Sequence, residues 1–178
     1  MNKINDVILF NEGKISCHVN NYKINELLNS LSRELVLSGY YYIQWLLPVI
    51  GDSKWHTNTK KLSEDDFIYI SGSKIANENI LRSVKTILLY FNISLDDDLC
   101  LNSSLDVNSS YWLSGIGHVE KKLSRIMLCL FYLDNKLLAF ELRDLSICLL
   151  QKYGFKTKKS VKETIVFWES IFDMRITY

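Results

Sequence analysis

Three histidines, four cysteines and one run of aspartates are the residues from which chemistry would be built in this 178-residue chain. His18, His56 and His118 could act as bases or metal ligands, because imidazole titrates near neutrality and carries a free lone pair. No two of them stand at the H-x-x-x-H spacing that shares one helix face, and none flanks a cysteine pair. The sequence therefore predicts no metal centre. His118 heads a predicted helix, where capping or hydrogen bonding competes with a role as general base. Cys17 and His18 could pair as thiolate and imidazole, but neighbours in sequence rarely face each other. Asp96-Asp97-Asp98 lacks the D-x-D-x-D-G pattern and closing Glu of a calcium loop, and reads as a solvated acidic loop. Gly115-Ile116-Gly117 is a bare G-x-G, and no phosphate loop, dinucleotide fingerprint or nucleophile elbow occurs. No catalytic residue and no cofactor is expected, and a non-enzyme is favoured over an enzyme.

Charge and compartment narrow the partners. Lys and Arg total 21 against 20 Asp and Glu, a net charge of +1, which gives no electrostatic reason to expect nucleic acid. Lys121, Lys122 and Arg125 fall on one side of the His118 helix, and Lys152, Lys156, Lys158, Lys159 and Lys162 gather near the last loop. Both groups read first as a solvated basic rim, with an acidic partner surface as the rival. Cys17, Cys100, Cys129 and Cys148 form no C-x-x-C pair and read as buried thiols in a reducing compartment. The N-terminus lacks a signal-peptide core, and no run reaches the ~18 apolar residues of a membrane span. A cytoplasmic protein without a transmembrane segment is expected.

The elements that must position these residues are mostly helical. A single proline and seven glycines supply too few turn residues for a sandwich of short strands. Val7–Phe10 reads as a short strand or extended arm. Ile24, Leu27, Leu28, Leu31 and Leu35 mark one helix over about 22–37. Tyr40–Leu47, stopped by Pro48, is apolar all round except for Gln44 and needs neighbours on most sides. A buried strand and a helix both fit its pattern. Trp55 lies in a polar loop and is expected to fold back on the core. Ser63 followed by three acids caps a helix over about 64–70. Asn77 caps the next, whose stripe runs from Ile80 to Phe91. Residues 94–110 read as an irregular loop. Helices over about 118–132 and 137–153 form a hairpin around Asp134-Asn135. The capping box Ser160–Glu163 opens the last helix, which turns Val161, Ile165, Trp168 and Phe172 inward.

Tyr42-Ile43-Gln44-Trp45-Leu46-Leu47-Pro48 resembles the Y-I-Q-W-L-F-P signature of the conserved domain of the opioid growth factor receptor family. Trp112, His118 and the run Lys122-Leu123-Ser124-Arg125-Ile126-Met127 resemble that family's W…H-N…R-I-T-R-I-L block. Phe10-Asn11-Glu12-Gly13 resembles the F-Y-x-G entry, and Val161–Trp168 the closing S…W segment. Tyr40 stands where the family has His, Val119 where it has Asn, and Lys122 where it has Arg. The chain is most similar to small single-domain microbial members, whose activity is not established. Animal members are described as receptors for an opioid peptide.

The resemblance implies a helical Tyr40–Leu47. It also implies a binding role for Gln44, Trp45, Trp112, His118, Lys122 and Arg125. The combined expectation is one all-α domain, residues 1–178, of about seven helices around Tyr42–Leu47. Its expected function is non-enzymatic binding of a peptide or protein. The rivals are an immunity-type antagonist bound to a toxin and an enzyme using His118.

Overall fold

The computed structural model describes residues 4–18, 20–39, 41–50, 61–104, 111–114, 119–154 and 159–173. Nine α-helices lie among them, with one small sheet and a 3-10 turn, so the fold is essentially all-helical. Trp55, His56, His118, Tyr40 and the Gly115–Gly117 turn fall outside the described residues.

The chain opens with α1, Asp6–Asn11, where a strand or extended arm was expected. Asn5 makes the difference, because its side chain accepts from the Val7 amide at 3.0 Å and so satisfies a free donor of the first turn. The single helix expected over about 22–37 is two, α2 (Ile24–Asn29) and α3 (Arg33–Ser38). Ser30 donates to the Leu27 carbonyl at 2.8 Å and closes the first, while the Ser32 hydroxyl accepts from the Leu35 amide at 3.2 Å and starts the second. The apolar stripe stays in phase across this break, so periodicity alone hides it. Next comes α4, Ile43–Leu46, a helix of only four residues.

The cap predicted at Ser63 is present. Ser63 and Asp66 form a reciprocal capping box at the head of α5, Glu64–Gly72. The helix α6, Lys74–Leu89, is capped by Ser73, so Asn77 lies inside it instead of before it. The segment read as irregular contains a hairpin, β1 (Ile93–Leu95) paired antiparallel with β2 (Leu101–Ser103), Ile93 opposite Ser103. A 3-10 turn, Tyr111–Ser114, leads toward α7, Val119–Tyr132. The short connection at Asp134, whose φ is 62°, folds α8 (Lys136–Tyr153) back along α7 as the expected hairpin. The last helix, α9, Lys159–Glu169, has already begun before Ser160, so that residue is helical and not the cap.

One continuous apolar cluster runs from Val7 in α1 to Ile171 beyond α9. At its centre Tyr42, Ile43, Trp45, Leu46 and Leu47 are all buried. The helix α4 packs on α1 and α6, while α8 packs on α7 and α9. A four-residue helix cannot stand on its own backbone bonds, so the surrounding elements hold it in place.

Candidate functional site

The site expected from sequence is built around the end of α4. Its last bonds run from the amides of Leu46 and Leu47 to the carbonyls of Tyr42 and Ile43. Pro48 follows and has no N–H to continue the ladder. The helix ends there, so the carbonyls of Trp45 and Leu47 in its last turn must find donors elsewhere, because an unpaired buried carbonyl is costly. They find them on two different helices. Asn11 Nδ2, from α1, donates to Trp45 O at 2.8 Å. Arg125 Nε, from α7, donates to Leu47 O at 2.7 Å. The same Asn11 nitrogen also donates to Val7 O at 2.8 Å.

A parallel device serves the end of α3. Val36 O accepts from the Tyr42 hydroxyl at 3.0 Å and from Lys122 Nζ. Lys122 and Arg125 are one turn apart on α7, so a single helix face sends one cation to each of the two helix ends. Both cations meet carbonyls at helix C-termini, where the backbone dipole favours positive charge.

Burial sets the electrostatics here. Lys122 is 1% exposed, and burial lowers its pKa from 10.5 to about 8. Burial likewise brings the Arg125 guanidinium down to about 10. Cys129, one turn beyond Arg125, is pushed up to about 12 by burial, against the pull of that cation. Burial also raises Glu120, at the start of α7.

Lys122 was read as part of a solvated basic rim, and that reading is corrected: only Lys121 of the trio is exposed. Phase explains the difference. Lys122 lies at i+3 from Val119 and i−4 from Ile126, within the apolar stripe of α7. Arg125 lies at i−4 from the buried Cys129.

The unfolded chain keeps the Lys122 proton up to about 10.5, whereas the fold releases it from about 8. Between those values the unfolded state binds more protons, so this group makes stability rise with pH. Lys122→Met is expected to flatten that part of the profile. Denaturation of both proteins from pH 8 to 10.5 checks it, since other titrating groups cancel in the difference. Identical slopes would show that Lys122 reaches solvent.

Of the expected binding residues, Gln44, Trp45, Trp112 and Lys122 are buried and Arg125 is partly buried, while His118 lies outside the described residues. Lys122 and Arg125 reach from α7 to the ends of α3 and α4, and Gln44 and Trp45 lie within α4. Trp112 is tied instead to the end of α6, where its Nε1 donates to Phe91 O at 3.0 Å. The Trp45 ring meets Phe10 and His18 edge-on, at centroid distances of 5.3 and 5.4 Å. Sequence reasoning passed over Asn11, the Tyr42 hydroxyl and Ser124, which accepts from Trp168 Nε1 at 2.7 Å. For Asn11 a signal existed, since a polar residue after the apolar run Val7–Phe10 is placed to face inward.

The thiols divide evenly. Cys17 and Cys129 are buried as expected, but Cys100 and Cys148 are exposed, and all four are thiols outside any disulfide. An aromatic-disulfide reagent is expected to label two thiols in the native chain and four in denaturant. Labelling of more than two at native pH would show that the helices around Cys17 or Cys129 open readily.

No group of three or more His, Cys, Asp or Glu able to hold a metal occurs among the described residues. No described helix is long and apolar enough to cross a membrane. What the arrangement does chemically is hold two helix ends. Asn11 Nδ2, Lys122 Nζ and Arg125 Nε are directed at backbone carbonyls.

Compared with known families, residues 2–134 match the conserved region of the opioid growth factor receptor. The match spans α1 to α7 and stops before α8 and α9, so it does not reach the Val161–Trp168 segment. No curated protein and no solved structure matches the chain.

Proposed function

From the chain's place in the opioid growth factor receptor family, to which it belongs by that conserved region, we propose that it is a non-enzymatic module that binds a peptide or protein partner. One observation carries this reading. Asn11 Nδ2, Lys122 Nζ and Arg125 Nε all donate to backbone carbonyls of α3 and of the end of α4. Groups committed in this way cannot also converge on a reacting atom. In this reading the signature Tyr42–Pro48 is scaffold. It fixes α1, α3 and α7 relative to one another, and the partner meets the outer faces of the bundle. Gln44, Trp45, Trp112, Lys122 and Arg125 then govern binding by holding that shape, without touching the partner.

Affinity capture from the native host, followed by mass spectrometry, tests the proposal. The expected result is a specific partner that binds the purified chain at a fixed stoichiometry. Turnover of a small molecule that is lost on His118→Gln, with no partner recovered, would replace this reading with the enzymatic one.

A further inference from the structure

Two kinds of attachment hold this molecule together. From α1 to α7, side chains of one element bond carbonyls of another. Asn11 reaches Trp45 O at 2.8 Å, and Asn79 reaches Asn11 O at 2.7 Å. The Tyr90 hydroxyl, at the end of α6, reaches Leu31 O at 2.7 Å. Lys122 and Arg125 reach Val36 O and Leu47 O. Beyond α7 this bracing stops. Among the described residues, the hydroxyls of Ser146, Thr164 and Ser170 turn back to carbonyls three or four residues earlier, and no side chain of α8 or α9 bonds a carbonyl of another element.

The two last helices differ in depth. Six residues of α8 are buried, from Leu138 to Leu150, whereas α9 buries Val161 and Trp168. The helix α9 therefore has the lighter hold.

Printed contacts place α9 over the α7–α8 hairpin. It packs on α8. Trp168 Nε1 donates to Ser124 Oγ of α7 at 2.7 Å. Just past the helix, Phe172 stacks on Phe131 of α7 and meets Phe140 of α8 edge-on, both at 4.9 Å between centroids. Val161, Ile165, Trp168 and Phe172 stand at i, i+4, i+7 and i+11, one helix face. Beneath that face lie a hydroxyl, Ser124, and two rings, Phe131 and Phe140.

An element held by apolar packing and one side-chain bond opens more readily than elements braced through buried carbonyls. Lifting α9 breaks none of the carbonyl bonds above. It uncovers the rings and the hydroxyl and leaves the α1–α7 framework intact.

We propose that the face of α7 and α8 beneath α9 is the partner-binding groove, and that α9 fills it as a displaceable stand-in. The partner brings an amphipathic helix of the same pattern, with an indole that donates to Ser124 Oγ. What the groove accepts is shown by α9 itself. A second copy offers the same helix, but swapping identical helices replaces each contact with itself and gains none there. Association meanwhile costs translational freedom. The inference rests on the binding-module reading and names its groove and its regulation.

Hydrogen exchange on the full chain is the first measurement. Amides of α9 are expected to open at least about tenfold more often than those of α7. A synthetic peptide of residues 159–173 is then titrated against the wild-type chain and against full-length Trp168→Ala. The peptide is expected to bind the variant about tenfold or more tighter, because the resident helix blocks the groove for less of the time. The same peptide carrying Trp168→Ala should not bind. Circular dichroism checks folding, and Phe172→Ala, which trims one half-buried ring, serves in the same way if Trp168→Ala does not fold. Exchange of α9 in step with α7, or no gain in peptide binding by either variant, would overturn the proposal. Wild-type dimers that exchange α9 and are lost on Trp168→Ala would overturn it too, by making a second copy the occupant. A host partner that binds wild type and Trp168→Ala equally overturns this inference alone and leaves the binding-module reading standing.

Discussion

Trp45→Ala is expected to cost about 3–5 kcal/mol of folding stability, the range for removing a large aromatic from a packed core. Trp45 is 1% exposed and sits in the helix that α1 and α6 pack against. Two rings lean on its indole, so the void left by alanine is walled by Phe10 and His18. A four-residue helix has little freedom to collapse into that void, because its carbonyls are held from both sides. Trp45→Phe separates volume from hydrogen bonding. The indole Nε1 has no hydrogen-bond partner among the described residues, so phenylalanine loses no bond there and is expected to cost much less than alanine. Denaturant midpoints at unchanged m-value measure both. A cost for Trp45→Ala under about 1 kcal/mol would mean that α4 is not an anchor.

How much of this was legible from sequence depends on whether a signal was local. The cap at Ser63 was read correctly because a cap and the helix it opens lie within one turn. The stripes of α6 and α7 were legible because long helices repeat their pattern. Short elements were not. Val7–Phe10 has too few residues for a period of two to be told from one of 3.6. The break between α2 and α3 hides under a stripe that keeps its phase. The β1–β2 hairpin was invisible for another reason. Its turn places Leu99 at a φ of 61°, a conformation that sequence rules reserve for glycine or asparagine.

The contacts of the candidate residues were not legible from sequence. Lys122 and Arg125 reach the ends of α3 and α4 from one face of α7. The family resemblance implied a ligand role for both, whereas the groups their side chains meet are backbone carbonyls at helix ends. Such acceptors have no letter in a sequence. The one cue was phase, since Lys122 sits where an apolar residue of α7 would.

Asn11→Leu and Arg125→Met are each expected to cost about 1–3 kcal/mol, because each strands a carbonyl at the end of α4. The two donors act on Trp45 O and Leu47 O, two residues apart, from helices on different sides. If together they close the gap left by Pro48, the losses are coupled. Once one end is loose, the other donor has less structure to hold. The double variant is then expected to cost less than the sum by more than about 0.5 kcal/mol. Methionine keeps most of the Arg125 stem, so the measured loss reports the guanidinium and not the packing of its methylenes. A stabilising Arg125→Met would mean that removing this cation from water costs more than its bond to Leu47 returns. Strict additivity would mean that Asn11 and Arg125 hold separate pieces of backbone. In either case the proline of the Tyr42–Pro48 signature would not be the reason that α7 carries a cation at Arg125.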